Sequence, residues 1–197
     1  MQKRIIISII VILILIGGLF WWWEKRKPKT LADYIIVKET PEGKIVENTK
    51  EKISIKVPED WRVSKELISS EKFSEEMKIT KPFTKNGIEN PALGSKFSVI
   101  CYFNPSKESL KKWVQNQGYK NIKFITLYQK NMIRTEEKAI IAEDEEGNPI
   151  YGKDTLEVSY FFEKDDKICE LYCGAAGPNY KEEIKKCEEN IIKNFKF

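Results

Sequence analysis

Hydrophobic positions along this chain change their spacing twice. From Ile5 to Trp23 they are continuous, 19 residues with no charge and a single hydroxyl, Ser8. As a helix rising about 1.5 Å per residue this run is roughly 28 Å long, the thickness of a bilayer's hydrocarbon core. A cleaved leader has a shorter apolar stretch and small residues at its end, whereas Gly17 and Gly18 here are followed by Leu19, Phe20, Trp21, Trp22 and Trp23. Indoles suit the headgroup zone, and Lys25, Arg26 and Lys27 follow at once. The pattern predicts a short tail at 1–4, an uncleaved single transmembrane helix at 5–23 and a basic linker at 24–31.

Beyond the linker the period becomes two. Strands are expected at 32–39, ended by the turn "PEGK", and at 52–57, where Ile53, Ile55 and Val57 share a face. "PEDW" at 58–61 turns the chain, and 61–66, 75–83 and 95–103 read as further strands. In the last, Phe97, Val99, Cys101 and Phe103 alternate, and the Asn-Gly and Asn-Pro breakers make 84–94 a loop. A helix follows, with Ser106 as N-cap, Leu110, Trp113 and Val114 as its apolar stripe and Gly118 as its stop. A strand at 120–129 carries Ile122, Phe124 and Thr126. The segments 138–144, 154–164 and 167–175 are spaced like an antiparallel meander, with a tight turn at "KDDK". Phe161 and Phe162 must face opposite sides, one toward the core and the other toward the middle helix. Tyr180, Ile184, Cys187 and Ile191 form the stripe of a closing helix that packs on a sheet. Residues 32–197 therefore read as one α+β domain, a mainly antiparallel sheet sandwiched by helices.

This order of elements resembles the PsbP-like group. The resemblance rests on "KISIKVPEDWRV", a hydrophobic strand ending in a Pro-x-x-Trp turn, on the helix "SLKKWVQNQ", and on the close "YFFEKDDKICELYCGAAGPNYKEEIKKCEENIIKNFKF". It spans roughly Tyr34 to Phe197, with Asn194 where the group commonly has serine. It implies the fold shared by the PsbP subunit of photosystem II and the Mog-type Ran-binding proteins. It also implies an exported, tethered domain, and it transfers no metal or partner residue. Fold does not fix function.

Charge changes the picture only at the membrane. Six of the 34 basic residues, but one of the 30 acidic ones, lie before Thr30, leaving 28 against 29, a net of −1 for the rest. A near-neutral domain lacks the electrostatic footprint of a nucleic-acid binder. Counting positive flanks favours a cytoplasmic C-terminal domain, with Lys25, Arg26, Lys27 and Lys29 against Lys3 and Arg4. The four-residue basic tail has the layout of a signal-anchor, and with the resemblance this sets the reading: single-pass, with the domain extracytoplasmic.

The chain has no histidine. That removes Ser-His and Cys-His nucleophiles and the commonest zinc ligand. "CGAAGPNYK" lacks the order of a phosphate loop, and "AEDEEGNP" lacks calcium-loop spacing. Trp61, Trp113, Phe161 and Phe162 read as core aromatics before they read as a ligand surface. No catalytic residue, metal ligand or cofactor is assigned.

The four cysteines are the sharpest feature. Cys169 and Cys173 share one strand face, Cys101 faces inward and Cys187 lies on the closing helix's stripe. Outside the cytoplasm they suggest disulfides, with Cys173 to Cys187 favoured and Cys101 to Cys169 left over. Buried thiols acting as small hydrophobes are the near-equal alternative, and a four-thiolate zinc site the remote one. The leading function is a non-catalytic, membrane-tethered binding or scaffolding domain with a protein partner. A thiol-redox enzyme using Cys169 and Cys173, or a solute- or metal-binding sensor, stand as alternatives.

Overall fold

The computed structural model describes residues 14, 16–18, 22, 31–41, 43–64, 68–85, 88–127, 129–143, 149–190 and 192–196. The chain divides into two compact units, Met1–Thr30 and Leu31–Phe197. In the first, Ile14, Ile16, Gly17, Gly18 and Trp22 are helical, and Ile14, Ile16 and Trp22 are exposed. Among the described residues no helix is long and apolar enough to cross a membrane. Most of the expected span 5–23 lies outside the described residues, as do Trp21, Trp23, Lys25, Arg26 and Lys27.

The second unit is α+β with antiparallel pairing throughout its described strands. After a 3-10 turn at Leu31–Tyr34, β1 (Ile35–Thr40), β2 (Gly43–Asn48) and β3 (Ile53–Val57) form a three-stranded sheet. Next come β4 (Arg62–Ser64), β5 (Phe73–Lys85), β6 (Ile88–Phe103), helix α1 (Leu110–Asn116), β7 (Lys123–Leu127) and β8 (Lys130–Glu137). Then follow β9 (Ile140–Glu143), β10 (Pro149–Tyr151), β11 (Thr155–Lys164), β12 (Lys167–Ala176) and helix α2 (Tyr180–Asn190). A seven-stranded sheet runs in the order β4-β5-β6-β12-β11-β8-β7, and β9 pairs with β10 alone.

Strand alternation gives the large sheet two unlike faces. One face presents Met77, Ile79, Phe97, Val99, Cys101, Val158, Phe162, Cys169, Leu171 and Cys173, all buried. It is covered by Val46, Ile53, Ile55 and Val57 of the small sheet and by Ile184 and Cys187 of α2. The other face carries a smaller cluster in which Trp113 and Val114 of α1 lie on Ile133, Phe161 and Ile168. Phe161 and Phe162 thus serve opposite faces: the Phe161 ring lies 5.9 Å from Trp113, and the Phe162 ring 6.3 Å from Phe195. Burying each such ring stabilises by roughly 1.5–3 kcal/mol. Gly43 opens β2 at φ 122°, where an added Cβ would press on the Val57 carbonyl.

Several expected elements differ. Of residues 84–94, expected as a loop, 84–85 and 88–94 belong to the paired strands β5 and β6, in which Lys85 pairs with Ile88, and 86–87 lie outside the described residues. The pairing skips from Gly94 to Asn90, and this shift gives Pro91 a place outside the ladder. β2 and β8 were not expected. β8 pairs with β11, so the segment at 138–144 is not a meander neighbour of 154–164 but one arm of the β9–β10 hairpin. The N-cap of α1 is Ser109, not Ser106. No side chain caps it at Ser109; the Leu110 N–H donates instead to Glu163 Oε1 at 3.0 Å, so a sheet residue holds the helix start. Gly118 at φ 86° ends the helix as expected.

Candidate binding cleft at the sheet edge

β7 is the last strand of the seven-stranded sheet. Its burial runs opposite to the expected stripe: Phe124 and Thr126 are exposed, and Ile125 and Leu127 pack toward the core. The reason is tertiary. β8 pairs Ile125 with Met132 and Phe124 with Ile133, so the odd residues of β7 join the larger core. Phe124 keeps 64% of its surface exposed.

Between β7, β8 and the start of α1 lies a cleft of about 640 Å³. Met132, Ile133 and Phe162 supply apolar wall, Phe124 and Leu110 flank it, and Lys111 and Lys130 stand with Asn131 and Glu163 as polar groups. Lys111 Nζ sits 5.8 Å from the Phe124 ring and Lys130 Nζ 5.9 Å from that of Phe162. An apolar hollow with a few polar groups has the make-up of a binding site. The sequence held the lysines and Phe124 but gave no signal that chain-distant 109–111, 124–126, 130–133 and 162–163 converge.

On the same face, toward β5, lies a cluster of phenols and carboxylates. Glu170 is almost wholly buried; its oxygens accept from Ser159 Oγ and from Tyr102 OH at 2.8 Å. Burial pushes its pKa up, and those two hydrogen bonds offset part of the rise. Tyr172 OH donates to Glu157 Oε1 at 2.6 Å. Burial first, then the neighbouring carboxylates, raise Tyr102, Tyr119 and Tyr172, so all three phenols are held protonated, Tyr102 and Tyr172 as donors. Glu75 Oε2 and Ser98 Oγ are buried without a hydrogen-bond partner, and Lys96 Nζ lies 3.8 Å from Glu75 Oε1. Among the described residues no three acidic or sulfur side chains converge in a way that could hold a metal ion.

The cysteines form two disulfides, Cys101–Cys169 and Cys173–Cys187. Cys101 and Cys169 are directly opposed on β6 and β12, with Cα atoms 4.1 Å apart, while Cys173 ties β12 to α2. All four are buried in the larger core. Cys169 and Cys173 therefore do not form the thiol pair of the redox alternative: two strand residues four apart share a face but lie too far along it to bond, and each meets a partner from another element. Of the membrane-interface residues only Trp22 is described, helical and half exposed.

No protein-family model matches the sequence, and no curated protein matches it. Solved structures do. The solution structure of cyanobacterial PsbP from Synechocystis sp. PCC 6803 is similar over 76% of this chain and 89% of that one, at 11% identity and a TM-score of 0.47. LpqN of Mycobacterium tuberculosis, a protein involved in cell envelope biogenesis, is similar over 85% of this chain and 96% of its own, at 14% identity and a TM-score of 0.45. A protein from Bacteroides thetaiotaomicron VPI-5482 is similar over 73% of this chain, at 11% identity and a TM-score of 0.41, and this chain spans 44% of its length. The PsbP-like resemblance read from the sequence is met among these neighbours. At such values the likeness carries no function across, and nothing below rests on it.

Proposed function

We propose that this chain is a non-catalytic binding domain held on the outer side of a membrane by its N-terminal segment, residues 5–23, with residues 32–197 as the binding part and a protein as its partner. The observation that carries the reading is the pair of buried disulfides, since such bonds persist in oxidising compartments and are rare in the cytosol. The apolar run at 5–23 and its tryptophan and basic flanks support the tether. The edge cleft supports binding.

The test is alkylation of the chain straight from cells under denaturing, non-reducing conditions, together with protease accessibility on intact cells. The expected result is no alkylated cysteine before reduction, four after it, and loss of the domain to external protease. Four reduced cysteines in a protease-protected, membrane-associated chain would overturn the placement.

A second reading, a small-solute sensor, is favoured by the buried, unpartnered Glu75 Oε2 and Ser98 Oγ. A solute that pairs them would raise the melting temperature with concentration. No such rise in a screen of cationic and hydroxylated solutes removes that reading.

A further inference from the structure

We propose that the edge of β7 and the cleft beside it take up an extended segment of the partner protein as an added antiparallel strand, the segment alternating carboxylates with apolar side chains. The inference rests on the reading of this domain as a binding module and names the chemistry of its partner.

Backbone geometry supplies the first part. Leu127 faces Lys130 at the hairpin end of the β7–β8 pair. A closing pair of this kind is hydrogen-bonded, and bonding alternates along an antiparallel ladder, so Ile125 and Lys123 bond inward toward β8. Phe124 and Thr126 then direct their N–H and C=O groups away from the sheet. β7 has no strand on that side in the described order. Such an edge is a template for strand addition, in which main-chain bonds give affinity and side-chain pockets give selectivity.

The second part is the hollow. Lysines on an edge strand commonly guard it against unwanted pairing. A guard needs no cavity, yet here the cleft opens beside β7 with Met132, Ile133 and Phe162 in its wall and Phe124 largely exposed at its flank. An incoming strand with an apolar residue opposite Phe124 would cover that ring on the face it shares with Ile133, and its alternate residues would lie on the face of Met132 and Phe162.

Charge selects the occupant. Lys123 begins β7 and Lys130 lines the cleft, both on the sheet face opposite to Phe124, against one lining carboxylate, Glu163, which already accepts the Leu110 N–H. A second copy of β7 paired through its outward Phe124 and Thr126 would bring no carboxylate to Lys123, because β7 carries none. A strand bearing glutamates or aspartates on the lysine side complements it.

The test uses the full chain in neutral detergent and a fluorescently labelled synthetic peptide of alternating glutamate and valine. Binding is read by anisotropy, and the contact is mapped by hydrogen exchange. The expected result is saturable binding that weakens with salt and protects 123–127. Thr126→Pro removes an outward N–H at an edge position where proline is tolerated, and weakens binding at least about tenfold with the melting temperature unchanged. Phe124→Ala, at an exposed site, weakens it similarly, and Lys123→Glu with Lys130→Glu abolishes it and transfers preference to a lysine-valine peptide.

Equal binding of a peptide with glutamates and valines in separate blocks overturns the proposal. So does indifference to Thr126→Pro and Phe124→Ala, protection confined elsewhere, absence of binding, competition by vesicles containing an acidic phospholipid, or self-association that Lys123→Glu abolishes. If the cysteines prove oxidised and the domain external while the peptide fails to bind, the tethered-domain reading stands and this one falls.

Discussion

Loop length decides how much each disulfide contributes, and the two differ in a way that can be measured. Cys101–Cys169 spans a sequence separation of 68 and Cys173–Cys187 one of 14. On the chain-entropy model, closing loops of those sizes withdraws from the unfolded chain about 4.4 and about 3.0 kcal/mol respectively. The first loop closes before the second opens, so the two constraints act on separate stretches and their effects add. Replacing either pair by alanines leaves similar small voids, because all four side chains are buried to the same degree. The difference between the two double variants therefore isolates loop length. Urea unfolding of residues 31–197, the second compact unit, is the assay. The expectation is that C101A/C169A loses about 1.4 kcal/mol more than C173A/C187A, and that the fourfold variant loses about 7 kcal/mol. That sum is comparable to the whole stability of many domains. An equal loss from the two pairs, or a larger loss from the shorter loop, would refute the entropic account of these bonds.

Other outcomes follow from single side chains. Phe161→Ala removes the ring on which Trp113 and Tyr119 rest, at 5.9 and 5.0 Å, and is expected to cost about 3–5 kcal/mol, read as a lowered urea midpoint and loss of near-ultraviolet Trp signal. Glu170 has its pKa raised by burial, so the fold favours its protonated form: that stabilisation is fully present below the unfolded glutamate pKa, about 4.3, and is lost as pH rises through the raised value. Glu170→Gln should therefore melt less steeply with rising pH than the parent, and an unchanged pH slope would count against the assignment. Glu188 accepts from Arg134 Nη2 at 2.9 Å and from Tyr160 OH at 2.5 Å, and burial and this carboxylate push the Tyr160 phenol up to about 12. Glu188→Ala leaves the Tyr160 O–H without its acceptor and Arg134 with Glu136 as its remaining carboxylate, with an expected loss of about 1–3 kcal/mol by thermal or urea melting.

Much of the architecture was legible because alternation is local. Ile53, Ile55 and Val57, or Phe97, Val99 and Cys101, show their face by spacing alone, and the buried pattern agrees. Phe161 and Phe162 are adjacent, so opposite faces follow from strand geometry, and the middle helix did prove to be the partner of the first. The facing argument and the short return of α2 over β12 favoured Cys173 with Cys187 and left buried thiols as a near-equal alternative, which the two disulfides decide. The Asn-Pro breaker misled, because the register shift between Gly94 and Asn90 takes up Pro91 without ending the pairing, and no single-chain pattern announces a shift. β8 escaped notice because "NMIRTEE" lacks alternation, its burial being set by β11 on one side and β7 on the other.

The sequence by itself determined the apolar run with its basic flanks, the near-neutral remainder, the α+β class and the inward placement of the cysteines. These depend on composition and on periods of two and 3.6, which short stretches carry in full. Only the tertiary structure decided the strand order, the isolation of β9 and β10, and which face of β7 meets the core. It alone brought residues 109–111, 124–126, 130–133 and 162–163 around one cleft. Contacts between residues tens of positions apart are chosen by the packing of whole layers, and no local pattern encodes that choice.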